Sequence, residues 1–247
     1  MNDMETARGV IRASRAHSAS KNRRDLQNNC QVVGTIPSPA ALRCALGLKP
    51  GAVDLFELRA DHFAADPRQL LRAAPGLRAP LIVTVRHPAE GGAGALSRAR
   101  RAELYGRFLP VAKFIDIELR SVRQLAATIA DARARGVKLI VSAHFFKSTP
   151  GLARLETLRD RAFAAGADIF KVATLARTLP DVLTLATLLA RSPRLPLSVM
   201  GMGKFGKLSR PLLACAGSVL NYGFLDKVQV PGQWAAPLLK ERIAEFA

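Results

Sequence analysis

The sequence predicts a one-domain α/β fold, a (β/α)8 TIM barrel, and three observations carry that prediction. Eight short apolar, β-branched runs alternate with stretches rich in Ala, Leu and Arg. The runs are continuously apolar rather than alternating, as strands covered on both faces must be. Eight is also the number of parallel strands that closes a barrel, and 247 residues is of the size such barrels take.

The first run, at residues 31–36, carries Val32, Val33 and Ile36, and the second, at 53–59, carries Val53, Leu55, Phe56 and Leu58. The third is Leu-Ile-Val-Thr-Val within 81–86, and the fourth, at 114–119, interleaves Phe114, Ile115 and Ile117 with Asp116 and Glu118. The fifth (139–144) ends on His144, and the sixth (168–173) encloses Lys171. The seventh (196–202) ends on Met200-Gly-Met202, and the eighth spans 220–225. Between them lie helical patterns such as 121–135, where Val122, Leu125, Ala126 and Ile129 recur at helical spacing; 180–191 and 210–218 are similar. A doubly wound open sheet is the rival, but it calls for a glycine-rich turn after its first strand. Gly34-Thr-Ile-Pro37 offers none. No linker divides the chain after residue 31, so 31–247 reads as one barrel domain. Residues 1–30, rich in Ser, Asn and Arg, read as a flexible basic tail.

The charge is lopsided: 37 Lys and Arg against 19 Asp and Glu, a formal net charge of +18. Such a balance raises the question of a nucleic-acid partner. The cations are spread through every helical stretch, however, without aromatic interleaving or a dense basic run, so a small anionic substrate is the expectation and nucleic acid is not. No apolar run approaches the ~18 residues of a membrane span, and the first thirty residues have no apolar stretch of a secretory signal. Cys30, Cys44 and Cys215 are widely spaced with no CxxC pair, which speaks against disulfides and zinc and for a reducing cytoplasm.

Polar residues fall where a barrel does its chemistry. The predicted strands end in Glu57, Arg59 and Asp61; in Arg86, with Glu90 just beyond; in Asp116 and Glu118; in His144; and in Lys171. The seventh leads through Met202 to Arg210, and the eighth to Gln229 and Gln233. In a parallel barrel these C-terminal ends share one face. Residues two apart on a strand point the same way, and inward charges must be paired. Asp61, Asp116 and Glu118 read equally well as ion pairs that lock the barrel. Lys171, sunk in Asp168-Ile-Phe-Lys-Val-Ala-Thr174, reads instead as a nucleophile, since burial favours the neutral amine. Alone, His144 would be a core histidine; one strand from Lys171 it is placed to move protons beside an imine. Gly201-Met-Gly-Lys-Phe-Gly206-Lys207 imitates a phosphate loop but has Leu208 where a Ser or Thr must hold magnesium.

Taken in order, these residues resemble the type I 3-dehydroquinate dehydratases. The likeness rests on Glu57-Leu-Arg59-Ala-Asp61-His62, Thr84-Val-Arg86 with Glu90-Gly-Gly92, Ile115-Asp-Ile-Glu118 and Ser142-Ala-His144. It continues in Lys171-Val-Ala-Thr174, Met200-Gly-Met202-Gly-Lys, Ser209-Arg210 and Pro231-Gly-Gln233, and so covers residue 31 to the end. The resemblance implies loss of water from 3-dehydroquinate through a Lys171 Schiff base, with His144 as general acid and base and Glu90 orienting it. It implies Arg210 and Gln233 on the substrate carboxylate, and Glu57, Arg59 and Arg86 on ring hydroxyls or on one another, with Met202 and Gln229 also at the substrate. It implies no metal or organic cofactor, and a homodimer. Two positions depart from the family pattern: Phe145 stands where an acidic residue usually follows the histidine, and Gln229 where the closing loop usually has serine. The alternatives are another Schiff-base barrel aldolase, which predicts a phosphate site near strands seven and eight, and a non-catalytic binder of a quinate-like ligand.

Overall fold

The computed structural model describes residues 30–192 and 194–246. The expected basic tail, apart from Cys30, lies outside the described residues. The first half of the barrel runs β1 (Gln31–Ile36), α1 (Pro39–Gly47), β2 (Leu55–Arg59), α2 (Arg68–Ala73), β3 (Leu81–Thr84), α3 (Arg98–Phe108), β4 (Ala112–Glu118) and α4 (Ala126–Ala134). The second half runs β5 (Lys138–Phe145), α5 (Leu152–Ala164), β6 (Ile169–Leu175), α6 (Leu179–Ala190), β7 (Leu197–Met202), α7 (Gly206–Cys215), β8 (Leu220–Phe224) and α8 (Ala236–Ala244). Several helices begin on side-chain caps. Ser38 Oγ accepts from Ala41 N ahead of Pro39, and Thr178 forms a reciprocal box with Asp181 ahead of α6.

All paired strands are parallel, in chain order from β1 to β7, and β8 returns to pair with β1. The ring meets at β7 and β8, where serines stand in for much of the ladder. Val219 N donates to Leu197 O at 2.9 Å. Ser198 Oγ donates to Leu220 O at 2.6 Å, and Ser218 Oγ accepts from Val199 N at 2.9 Å. The eight-stranded α/β barrel expected from the sequence is the fold observed.

Period-two alternation divides the buried residues between two apolar regions. Outward positions such as Leu58, Val83, Ile115, Val141, Phe170 and Val199 pack under the helices. Inward positions Val33, Leu55, Ile82, Phe114, Ile140, Ile169 and Leu220 fill the barrel floor. One step toward the strand C-termini the inward layer turns polar. Glu57, Thr84, Asp116, Ser142 and Lys171 are all buried there.

Element bounds shift where local sequence is ambiguous. The helical pattern at 121–135 opens with a 3-10 turn, Leu119–Ser121, and becomes α-helical only at Ala126. The helix expected at 210–218 is Gly206–Cys215, with Pro211 inside it. Proline removes the N–H that would reach back four residues to Lys207 O; Trp234 Nε1 donates to that carbonyl instead, at 2.8 Å. The helix is thus repaired from outside itself.

Candidate active site

A cleft of about 350 Å³ opens at the C-terminal ends of the strands. Every residue expected to act on substrate lines it: Lys171, His144 and Glu90, then Glu57, Arg59, Arg86, Met202, Arg210, Gln229 and Gln233. Asp61, Asp116 and Glu118 stand behind that lining, buried.

Lys171 is 4 % exposed on β6, between apolar neighbours Phe170 and Val172. Across the barrel its surroundings are not apolar. Nζ donates to Asp116 Oδ2 at 2.9 Å and lies 3.5 Å from Glu57 Oε1. Arg86 grips Asp116 with two nitrogens, at 3.0 and 2.8 Å, and also donates to Glu118 and Ser142. Burial works against the Asp116 charge, but Arg86 and then Lys171 outweigh it and hold the carboxyl well below the usual range. Two carboxylates therefore fix the amine at one point of the polar layer, and an arginine holds one of them.

His144 ends the inward face of β5. Its Nδ1 lies 2.8 Å from Glu90 Oε2, which also accepts from the His144 backbone N–H at 3.2 Å. A carboxylate acceptor keeps the proton on Nδ1 and leaves the Nε2 lone pair for the cleft. Burial, then the charges of Arg86 and Lys171, holds the imidazole well below its ordinary value, so it is neutral at neutral pH. Glu90 moves the other way: burial lifts its carboxyl to about 7.

The cleft walls are built with equal economy. Arg59 makes a forked pair with Asp61 at 3.0 and 2.8 Å and donates to Gly91 O, which ties β2 to the loop that carries Glu90. Arg210, on α7, is 2 % exposed and meets only neutral acceptors among the described residues: Tyr222 O, Gly232 O and Met200 Sδ. Burial alone lowers its guanidinium to about 10. A buried cation without a carboxylate is costly unless an anion joins it. Gln233 accepts from the Gln229 and Val230 N–H groups through Oε1, at 2.7 and 3.2 Å, so its amide nitrogen is left to donate, with no acceptor among the described residues. The segment Pro231-Gly-Gln233 rests on the glycines of the loop that imitates a phosphate site. Gly203 N donates to Pro231 O at 2.8 Å, and a Cβ on Gly206 would come within 2.7 Å of Gly232 Cα. Those glycines serve backbone approach between two loops.

With this geometry in place, comparison with known proteins is decisive. Residues 38–244 match the family described as Type I 3-dehydroquinase. The chain belongs to that family. Its members are hydro-lyases. The chain is 35 % identical over 219 residues to a 3-dehydroquinate dehydratase of Klebsiella pneumoniae, covering 80 % of this chain and 84 % of the relative. It is 32 % identical over 232 residues to that of Methanosarcina barkeri, covering 88 % and 95 %. The crystal structure of 3-dehydroquinate dehydratase from Geobacillus kaustophilus superposes with a TM-score of 0.80 at 26 % identity, over 88 % of this chain and 91 % of the other.

Against the type I pattern, the two departures sit differently. Phe145 turns away from the cleft, its ring 5.5 Å from the Arg154 guanidinium, and Phe146 is the aromatic that lines the cleft and stacks on His144. Gln229 does line it, with Nε2 donating to Lys227 O at 2.9 Å. Sequence reasoning missed several residues that complete the site. Thr84 donates to Glu57 at 2.8 Å and Ser142 to Asp116 at 2.6 Å; both are small polar residues at inward strand positions, and two-residue alternation could have found them. Arg101 reaches Glu118 from α3 at 2.6 Å, and its place on the Leu104–Tyr105–Phe108 face of that helix was the available signal. Tyr222 lies against Lys171 with no sequence signal beyond its inward position.

Proposed function

We propose that this type I 3-dehydroquinase works through an imine on Lys171, with His144 moving the protons. The overall reaction is loss of water from 3-dehydroquinate to give 3-dehydroshikimate. The observation that carries the mechanism is the convergence on one cleft of a buried, carboxylate-held amine and a neutral, carboxylate-oriented imidazole. Lys171 attacks the ring ketone; the imine is an electron sink, and the neighbouring C–H becomes acidic enough for the His144 Nε2 lone pair. The same nitrogen then protonates the departing hydroxyl, and water releases product from Lys171. Arg210 and the free amide of Gln233 bind the substrate carboxylate, which supplies the anion that Arg210 lacks. Glu57, Arg59 and Arg86 meet ring hydroxyls or hold one another. Met202 packs on the ring, and Gln229 closes the mouth.

Borohydride added during turnover tests this directly. The wild-type protein should gain one reduced adduct on Lys171 by mass spectrometry, with 3-dehydroshikimate formed in the untreated reaction. Lys171→Ala should fold and give neither. A folded wild type that yields no adduct would sink the covalent reading.

The assembly we infer is a homodimer. Leu179 and Leu183 on α6 and Leu208 and Leu212 on the adjacent α7 are between 42 and 56 % exposed, each pair four residues apart on its helix. Leu183→Asp with Leu212→Asp should shift the protein to a monomer in sedimentation; an unchanged dimer would place the interface elsewhere. No helix among the described residues is long and apolar enough to cross a membrane, and free Cys30, Cys44 and Cys215 suit a cytoplasmic setting.

A further inference from the structure

We propose that the ring of Tyr222 is a catalytic group, a π platform that holds the positive charge of the Lys171 nitrogen while the imine exists; this rests on the covalent reading above. Lys171 Nζ lies 3.9 Å from the centroid of the Tyr222 ring, well inside cation–π distance. Tyr222 sits on the inward face of β8 and is 4 % exposed, so water does not screen the contact. Asp116 and Glu57 take up hydrogen bonds from the same nitrogen, while the ring meets it through its face.

The chemistry makes this contact matter most after the covalent step. An ammonium and a ketone become a protonated imine and water: the C=N bond forms, the C–O bond breaks, and two nitrogen protons leave with the oxygen. The positive charge stays on nitrogen, but its N–H groups fall from three to one. One N–H cannot donate full hydrogen bonds to both Asp116 and Glu57. A ring face needs no N–H. It attracts the charge in both ammonium and iminium, so its share of the electrostatic support grows as hydrogen bonding is lost.

The hydroxyl is not the working part. Tyr222 Oη is buried with no hydrogen-bond partner among the described residues. The ring is held in register by β8, whose Tyr222 carbonyl accepts from Arg210 at 2.7 Å. The platform for the lysine and the cation for the substrate carboxylate are therefore fixed to one residue of the strand.

The test separates charge from shape. Phenylalanine, then phenylalanines with one, two and three ring fluorines, are placed at position 222; fluorine drains the face of the ring with little change of volume. Tyr222→Leu removes the face altogether. Single-turnover imine accumulation, trapped with borohydride, and kcat are measured alongside a thermal melt. Tyr222→Phe keeps the ring face and is the reference for the series. The fluorinated series should lose imine and kcat stepwise with little change in melting or KM, and Tyr222→Leu should lose about 10- to 30-fold. A flat fluorine series, with wild-type adduct intact, overturns the platform and leaves the covalent mechanism standing. A wild-type protein that traps no imine overturns both.

Discussion

A base that must take a carbon-bound proton has to be uncharged and correctly tautomeric before substrate arrives. Burial and the charges of Arg86 and Lys171 keep His144 uncharged; Glu90 fixes its tautomer, at a price in stability. Its carboxyl is lifted to about 7 from an ordinary 4.5 by burial. The folded state therefore keeps this proton longer than the unfolded chain does. Stability is lost as pH rises from about 4.5 through about 7, while the working carboxylate appears over the upper part of that window. Activity should consequently fall as pH drops through about 7, because a protonated Glu90 no longer anchors Nδ1 as a carboxylate. His144 itself, held well below its ordinary value, stays neutral there. Glu90→Gln should flatten that acid limb of kcat/KM and lower its plateau about 10- to 100-fold. The same variant should melt higher than wild type at pH 8, with the gap closing at pH 5. An unchanged acid limb in Glu90→Gln would assign that ionisation to another group.

At the scale of elements, the β8 loop and the start of α7 act as one unit. Gly206 and Gly232 meet backbone to backbone, and Gly232 has a φ of +85°, where a side chain is strained. Trp234 binds Lys207 O, the carbonyl that Pro211 leaves open in α7. Both contacts hold Gln233 beside Arg210. Gly206→Ala must push this loop outward, since its Cβ would lie 2.7 Å from Gly232 Cα. It should raise KM about tenfold, with a smaller effect on kcat and a loss of about 1–3 kcal/mol in urea unfolding. Unchanged KM would mean that the loop is positioned without the glycine contact.

At the scale of the molecule, the barrel carries a buried layer of charge above an apolar floor. Arg86 and Arg101 share Glu118, and Arg86 passes to Asp116, which holds Lys171. Such a chain adds little net stability when complete, and breaking it leaves an uncompensated charge. Arg101→Leu keeps the cleft lining but strips Glu118 of one of its two arginines. It should cost about 3–5 kcal/mol in chemical denaturation, with imine trapping on Lys171 retained at temperatures where the protein is folded. A cost under about 1 kcal/mol would show that Arg86 suffices for Glu118. Phe145, one of the two departures from the family pattern, lies off the cleft against Arg154, and Phe146 lines the cleft instead.

The strand count, the barrel, and the lysine and histidine at its mouth were all readable from one chain. Apolar periodicity is a local property, and a charge inside an apolar run stands out against it. Lys171 and His144 announce themselves this way; so do Glu57, Arg86 and Asp116. Other roles depended on residues far apart in sequence. Arg101 looks like any other among 37 basic residues until α3 lays it on Glu118. Tyr222 reads as a core aromatic until β8 closes on β1 and brings its ring under an amine from β6. Gly206 and Gly232 give no sign of each other across the intervening helix and strand. Side-chain type and spacing determine which groups a strand carries inward. Only closure of the barrel decides which of them meet, because those distances are set by strand register and loop contact across the ring.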